Sequence, residues 1–158
     1  MKKFEFTGET KTISLFFRTA TLHRIRAVAE FGLVKVGDLG GWIEKEGNLS
    51  HEGKAWVWGN AEVCGNAEVC GNAKVFSARH VLVIGAMGSR DDFTTFFRDK
   101  DNEITVKCGC FLGKIDKFLE KVTQTHGDSK YALVYRAAVE VARLQIDLSG
   151  EAPKDADE

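Results

Sequence analysis

Long apolar runs are missing from this chain of 158 residues, so no segment has the length or continuity of a membrane span. Met1, Lys2 and Lys3 begin as a secretory signal does, but Phe4-Glu5-Phe6-Thr7-Gly8-Glu9 breaks the apolar stretch that a signal needs, and a cytoplasmic protein is expected. Cysteine is scarce. Cys64, Cys70, Cys108 and Cys110 form two close pairs rather than a scattered disulfide framework, which suits a reducing compartment. No Walker pattern, complete dinucleotide fingerprint or Cys-x-x-Cys knuckle is present, so neither a resident cofactor nor a bound metal is expected.

Charge is short of a dominant sign, with a net value of -1, but it is unevenly spread. Lys2, Lys3, Lys11, Arg18, Arg24, Arg26 and Lys35 face only Glu5, Glu9 and Glu30 in the same stretch. The amino-terminal end is therefore basic, while the final residues from Glu151 to Glu158 are acidic. Such a bipolar chain can steer towards a nucleoprotein or a charged protein through Arg24 and Arg26, and equally can present ordinary solvated faces.

Glycine is abundant, and between Gly47 and Phe76 it is periodic. Gly47, Gly53, Gly59, Gly65 and Gly71 each open a unit of six, the clearest being Gly59-Asn60-Ala61-Glu62-Val63-Cys64 and Gly65-Asn66-Ala67-Glu68-Val69-Cys70. Alternation along an extended chain places the alanine and valine of each unit on one face and the fourth and sixth residues on the other. Ala55, Ala61, Ala67 and Ala73 are thus expected inside, with Gly-Asn turning each corner. Trp56, Trp58, Glu62, Cys64, Glu68 and Cys70 fall on the outward face, with Lys74 and Phe76. That face reads either as a rigid recognition display or as packing against a neighbouring segment.

The tract resembles hexapeptide-repeat β-solenoids, and the resemblance implies a short β-solenoid or roll. The best-known members are acyltransferases with many more coils and a catalytic His between subunits, whereas here only His51 lies in the repeats. So short a tract leaves its ends uncovered, and Leu22 to Phe31, Leu33 to Val36 and Leu39 to Ile43 are expected to supply covering strands.

Beyond the tract, His80 to Ile84, Phe93 to Arg98 and Ile104 to Cys108 read as strands, the last two forming a hairpin across the turn-rich Asp99 to Asn102. Ile115, Phe118, Leu119 and Val122 then mark one face of an amphipathic helix within Gly113 to His126, which Gly127 ends. A second helix follows Asp128 or Ser129 and carries Tyr131, Val134, Tyr135, Ala138, Val141 and Ala142. The expected fold is α+β. It comprises a β-solenoid or roll with its covering strands over residues 1–76, a small sheet with two helices over 77–148, and a disordered acidic tail over 149–158.

Three constellations carry chemical promise. Gly85-Ala86-Met87-Gly88-Ser89-Arg90 is a glycine-bearing turn after a strand, able to hold a phosphate or a signalling nucleotide with Asp92, Thr94, Thr95 and Arg98 nearby, or simply to form a tight turn. Cys108 and Cys110 with His126 could be a nucleophile and base, or a buried thiol pair beside a helix-capping imidazole. Glu62 and Glu68 occupy equivalent places in adjacent units, and one of them beside a cation could act as a base for RNA cleavage, although their spacing does not make a dyad.

Lys3 to Lys11, Gly37-Asp38-Leu39-Gly40-Gly41-Trp42-Ile43-Glu44, Gly88-Ser89-Arg90 and Thr125-His126-Gly127 together resemble small β-roll proteins of phages and prophages, some of them similar to anti-CRISPR inhibitors of type II effectors. The resemblance implies a counter-defence role in the host bacterial cell. Its target would be a defence protein or its guide RNA complex, met by binding, by guide RNA cleavage, or by sequestering a signalling nucleotide.

Overall fold

A computed structural model describes residues 2–150, so the acidic stretch from Glu151 onward lies outside the described residues. The chain begins with a long antiparallel hairpin of β1 (Phe4–Ser14) and β2 (Thr19–Ala27). Phe4 and Ile25 on its inner face are fully buried. The pairing shifts between Phe6 and Thr10, where Gly8 takes a positive φ, and the hairpin continues outward from that irregularity to its tip. Short β3 (Leu39–Ile43) pairs antiparallel with β2. Leu33 to Val36, expected as a strand, instead closes a tight turn in which Phe31 and Val34 exchange backbone hydrogen bonds.

The tract does not build a solenoid or roll. Only three of its five units contribute strands, each of two residues: β4 (Trp56–Val57), β5 (Glu62–Val63) and β6 (Lys74–Val75). These are divided between sheets. β5 lies parallel at the edge of a mixed sheet ordered β1-β2-β3-β5, while β4 and β6 form a separate parallel pair. Glu46–Asn48 is a turn of 3₁₀-helix, and the unit from Gly65 to Cys70 keeps only a bridge between Leu49 and Val69. The physical reason is length: glycine corners leave about two extended residues per unit, too few to make a sheet without the longer hairpin.

Ala55, Ala61, Ala67 and Ala73 are nonetheless buried as the alternation requires, and Gly53, Gly59, Gly65 and Gly71 all take positive φ at the corners. The outward face is covered as well. Trp56 is fully buried against Phe4 and Phe31, and Lys74 is buried beneath Trp58, which itself stacks on Phe76 with centroids 4.5 Å apart. Lys3 reaches into the same region and donates from Nζ to the Ala55 carbonyl at 2.6 Å. Burial lowers its pKa to about 8.

A second sheet follows, ordered β10-β9-β8-β7 and antiparallel throughout, from β7 (Val81–Met87), β8 (Asp92–Arg98), β9 (Ile104–Cys108) and β10 (Phe111–Lys114). The hairpin of β8 and β9 matches its expected place. Two helices, α1 (Ile115–His126) and α2 (Lys130–Gln145), pack on one face of this sheet. Ser129 occupies the start of α2 but makes no side-chain capping bond, and Asp128 pairs with Arg136 instead.

Central strand β8 is buried on both faces, which explains its run of apolar and small polar residues. Phe96 packs among the helices, whereas Phe97, with Val81 and Val83, packs against the repeat tract. The second sheet is therefore the middle layer between the tract and the helices.

Layer separation in the first half depends on Gly40 and Gly41. A Cβ at Gly41 would lie 2.6 Å from the Ala61 carbonyl oxygen, and one at Gly40 would lie 2.7 Å from both Ile25 and Trp56 side-chain atoms. Gly41→Ala is therefore expected to lose about 1–3 kcal/mol in urea unfolding. Gly47→Ala, where the new methyl meets nothing within 4 Å, should show no such loss.

Candidate functional site

The residues singled out from sequence separate into two groups once placed. Several are committed to structure. Arg24 donates to the Gly40 carbonyl at 3.0 Å and lies over the Trp42 ring, and Arg26 pairs with Glu5 at 2.7 Å. Thr95 accepts a hydrogen bond from the Glu68 amide, and buried Arg98 donates to the Lys74 carbonyl at 3.2 Å while lying over the Phe76 ring. Trp56 is core, and Trp58 is held between Lys74 and Phe76. The basic end is thus largely matched by internal partners, with Lys11 on Glu62 and Lys35 on Glu30 in addition.

Glu62 and Glu68 do not meet. Glu62 sits on β5 beside Lys11, while Glu68 lies across from β9 with its carboxylate 3.5 Å from Lys107. Each carboxylate is paired with a lysine, and the two do not form an acid–base pair with one another. Among the described residues, no three potential metal-ligating side chains converge.

The second group comes together in one place. Arg90 in the β7–β8 turn and Asp92 at the start of β8, Cys108 at the end of β9 and Cys110 in the β9–β10 turn, and His126 at the end of α1 line a single cleft of about 230 Å³. Two constellations that are separate in sequence are therefore one in space. The turn after β7 approaches α2 closely because Gly88 has no side chain; a Cβ there would lie 1.9 Å from the Tyr135 hydroxyl. Tyr135 forms one wall, with the His126 ring stacked on it at 5.6 Å and an interplanar angle of 24°. Phe118 meets Tyr135 edge-on at 5.7 Å and tilts against Phe111, making an aromatic floor.

Burial, with Cys108 nearby, raises the Tyr135 pKa and keeps the phenol protonated at neutral pH. Thr94 donates its hydroxyl to Cys108 Sγ at 3.3 Å and so orients that thiol from below. Sequence reasoning missed Tyr135, Phe111 and Lys121 as parts of this site. Tyr135 carries the core spacing of α2, and Lys121 reads as one more solvated helix lysine, so nothing local distinguishes either of them.

A second exposed feature lies at the tip of the first hairpin. The β1–β2 turn is closed by the Leu15 amide donating to the Arg18 carbonyl, and it raises Phe16 and Phe17 into solvent with 91% of each exposed. Their rings meet edge-on at 4.6 Å. Arg18 anchors the turn by a two-pronged pair to Glu44, with distances of 2.8 and 3.0 Å, and Glu44 accepts the Gly65 amide at 2.7 Å. The Arg18 guanidinium holds the Glu44 carboxyl at about 2, against the opposing effect of partial burial, and the Gly65 amide adds to the shift.

No known protein family matches this chain, and no curated protein shows significant similarity to it. Among the described residues no helix is long and apolar enough to cross a membrane.

The Glu44 pair has a defined pH signature. Its folded pKa lies below the ordinary value of 4.5, so its contribution is fully present above pH 4.5 and is lost as pH falls towards 2. Because Arg18 is nearly half exposed, solvent screens the pair and keeps that contribution small. Glu44→Gln should unfold at lower urea than the wild type at pH 7, and the difference should vanish near pH 2.

Proposed function

We propose that this protein is a phage-type counter-defence protein of the anti-CRISPR kind, which binds a host defence protein or nucleoprotein and inhibits it stoichiometrically. The observation that carries this reading is the aromatic tip of the β1–β2 hairpin. Two phenylalanines exposed side by side cost solvation in the free protein, and they regain it when they enter an apolar pocket on a partner. Binding energy concentrates in anchors of this sort, large apolar rings fixed on a rigid element. The Arg18–Glu44–Gly65 links hold the base of the turn, so little ordering entropy remains to be lost on binding.

Glu62 and Glu68 stand apart, and each has a lysine beside it as a single-carboxylate base for RNA cleavage requires, so the guide RNA must be followed in the same experiment as inhibition. Of the two arginines expected to steer, Arg26 is opposed by Glu5, whereas Arg24 meets only a carbonyl and a ring and keeps its full charge.

The test is a titration against a purified type II effector carrying its guide RNA, following target DNA cleavage. Inhibition should saturate near one equivalent per effector, with the guide RNA intact. Phe16→Ala/Phe17→Ala should weaken it by about a hundredfold or more while leaving the melting temperature unchanged. Undiminished inhibition by the double variant, shortened guide RNA at substoichiometric protein, or absence of inhibition would each overturn the reading.

A further inference from the structure

We propose that the cleft between the β7–β8 turn, the β9–β10 turn and the two helices is a binding site for a nucleoside monophosphate. The inference is independent of the hairpin, which lies elsewhere on the fold. It rests on the combination of walls and charges already described.

The first observation is the state of the cations. Elsewhere the basic side chains are largely matched: Arg18, Arg26, Lys35, Lys107 and Lys114 all sit within salt-bridge distance of carboxylates. Arg90 and Lys121 line the cleft, and among the described residues neither takes part in a salt bridge or side-chain hydrogen bond. Two unmatched cations from different elements facing one small cavity form a site for an anion, and the planar fork of Arg90 suits phosphate oxygens in particular.

The second observation is the shape and chemistry of the walls. Tyr135 and the stacked His126 ring present flat surface, and Phe111 and Phe118 complete an apolar floor. A planar heterocycle gains most from such walls, by stacking and by leaving water. Asp92 is the cleft's one carboxylate. Its Oδ1 accepts the Phe93 amide at 2.7 Å, leaving the other oxygen to accept from a ribose hydroxyl or a base amine. A simple dianion without donors would be repelled by that carboxylate; a nucleotide turns it to use.

Size limits the ligand. A cavity of about 230 Å³ lies just below the usual range of ligand sites, which admits one nucleotide at most and not a polymer. The neighbouring groove of about 390 Å³ is wider but its lysines are occupied, Lys45 by Asn66 and Lys107 by Glu68. Of these two cavities, the smaller one combines unmatched cations with aromatic walls.

Calorimetric titration with AMP, GMP, CMP and UMP, alongside inorganic phosphate and ribose 5-phosphate, tests the assignment, with ring resonances of His126 and Tyr135 followed by NMR. At least one nucleotide should bind more tightly than the ringless probes, shift those resonances, and weaken with added salt. Arg90→Ala and Lys121→Ala remove exposed side chains and should leave the fold intact while each weakens binding about tenfold or more. The proposal is overturned if no nucleotide binds at millimolar concentration. It fails equally if ringless phosphates bind as tightly, if the shifts fall outside the cleft, or if both variants bind like the wild type.

Discussion

Alanine and valine are too small to close a core by themselves, and the architecture follows from how the chain covers the thin layer that its repeats produce. Each of the four units between Gly53 and Phe76 delivers one alanine and one valine to the interior, and the first unit delivers Leu49. The unsatisfied backbone of such short strands must find partners beyond the ladder. Asn48 shows how this is met. Fully buried, it accepts the Glu44 and Lys45 amides through its side-chain oxygen and donates to the Gly65 and Ala67 carbonyls at 3.0 and 2.9 Å. One amide side chain thus joins the turn after β3 to the fourth repeat unit with four bonds. The network leaves no lone pair or proton wasted, which is what makes a buried amide stabilising.

The same constraint explains why polar groups are so often buried in this protein. Lys3 donates to Ala55, Arg98 donates to Lys74, and Thr95 receives the Glu68 amide, each supplying a partner to backbone that the short strands leave unmatched. The last two belong to β8, so the middle sheet is stitched to the tract by hydrogen bonds as well as by Phe97. A frame held on both sides in this way carries the aromatic tip at one place and the cationic cleft at another without burying the side chains of Phe16, Phe17, Arg90 or Lys121. Exposed Phe16, Phe17, Arg90 and Lys121 are therefore available for recognition.

What could be read in the sequence was what depends on neighbours along the chain. The glycine period placed the alanines inside, the apolar stripe gave α1, and the turn-rich Asp99 to Asn102 gave the hairpin of β8 and β9. The first strand was hidden, because Phe4 to Ser14 alternates apolar residues with threonines and charges and contains Gly8, so it lacks the continuous β-branched signal. The covered outer face of Trp56 was one of two readings left open: alternation tells which side a residue points to, but not that Phe4 and Phe31 arrive there from distant chain. The solenoid expectation failed for a related reason, since hexad spacing sets where the chain turns and not which strands it joins. The cleft was legible only in halves, as the Gly88 to Asp92 turn and the Cys108, Cys110 and His126 group. Their meeting is fixed by the fit of Gly88 against Tyr135.

The central claim is that the tract and the second sheet form one cooperative frame, rigid enough to present preorganised binding features. Native-state hydrogen exchange tests it most directly. The amides of Ser50, Val69 and Trp58, which bond to Val69, Asn48 and Val75 across the tract, should exchange with the same opening free energy and denaturant dependence as the buried amides of Phe96 and Phe97 in β8. Exchange of the tract amides through a separate, lower-energy opening that leaves β8 protected would contradict it.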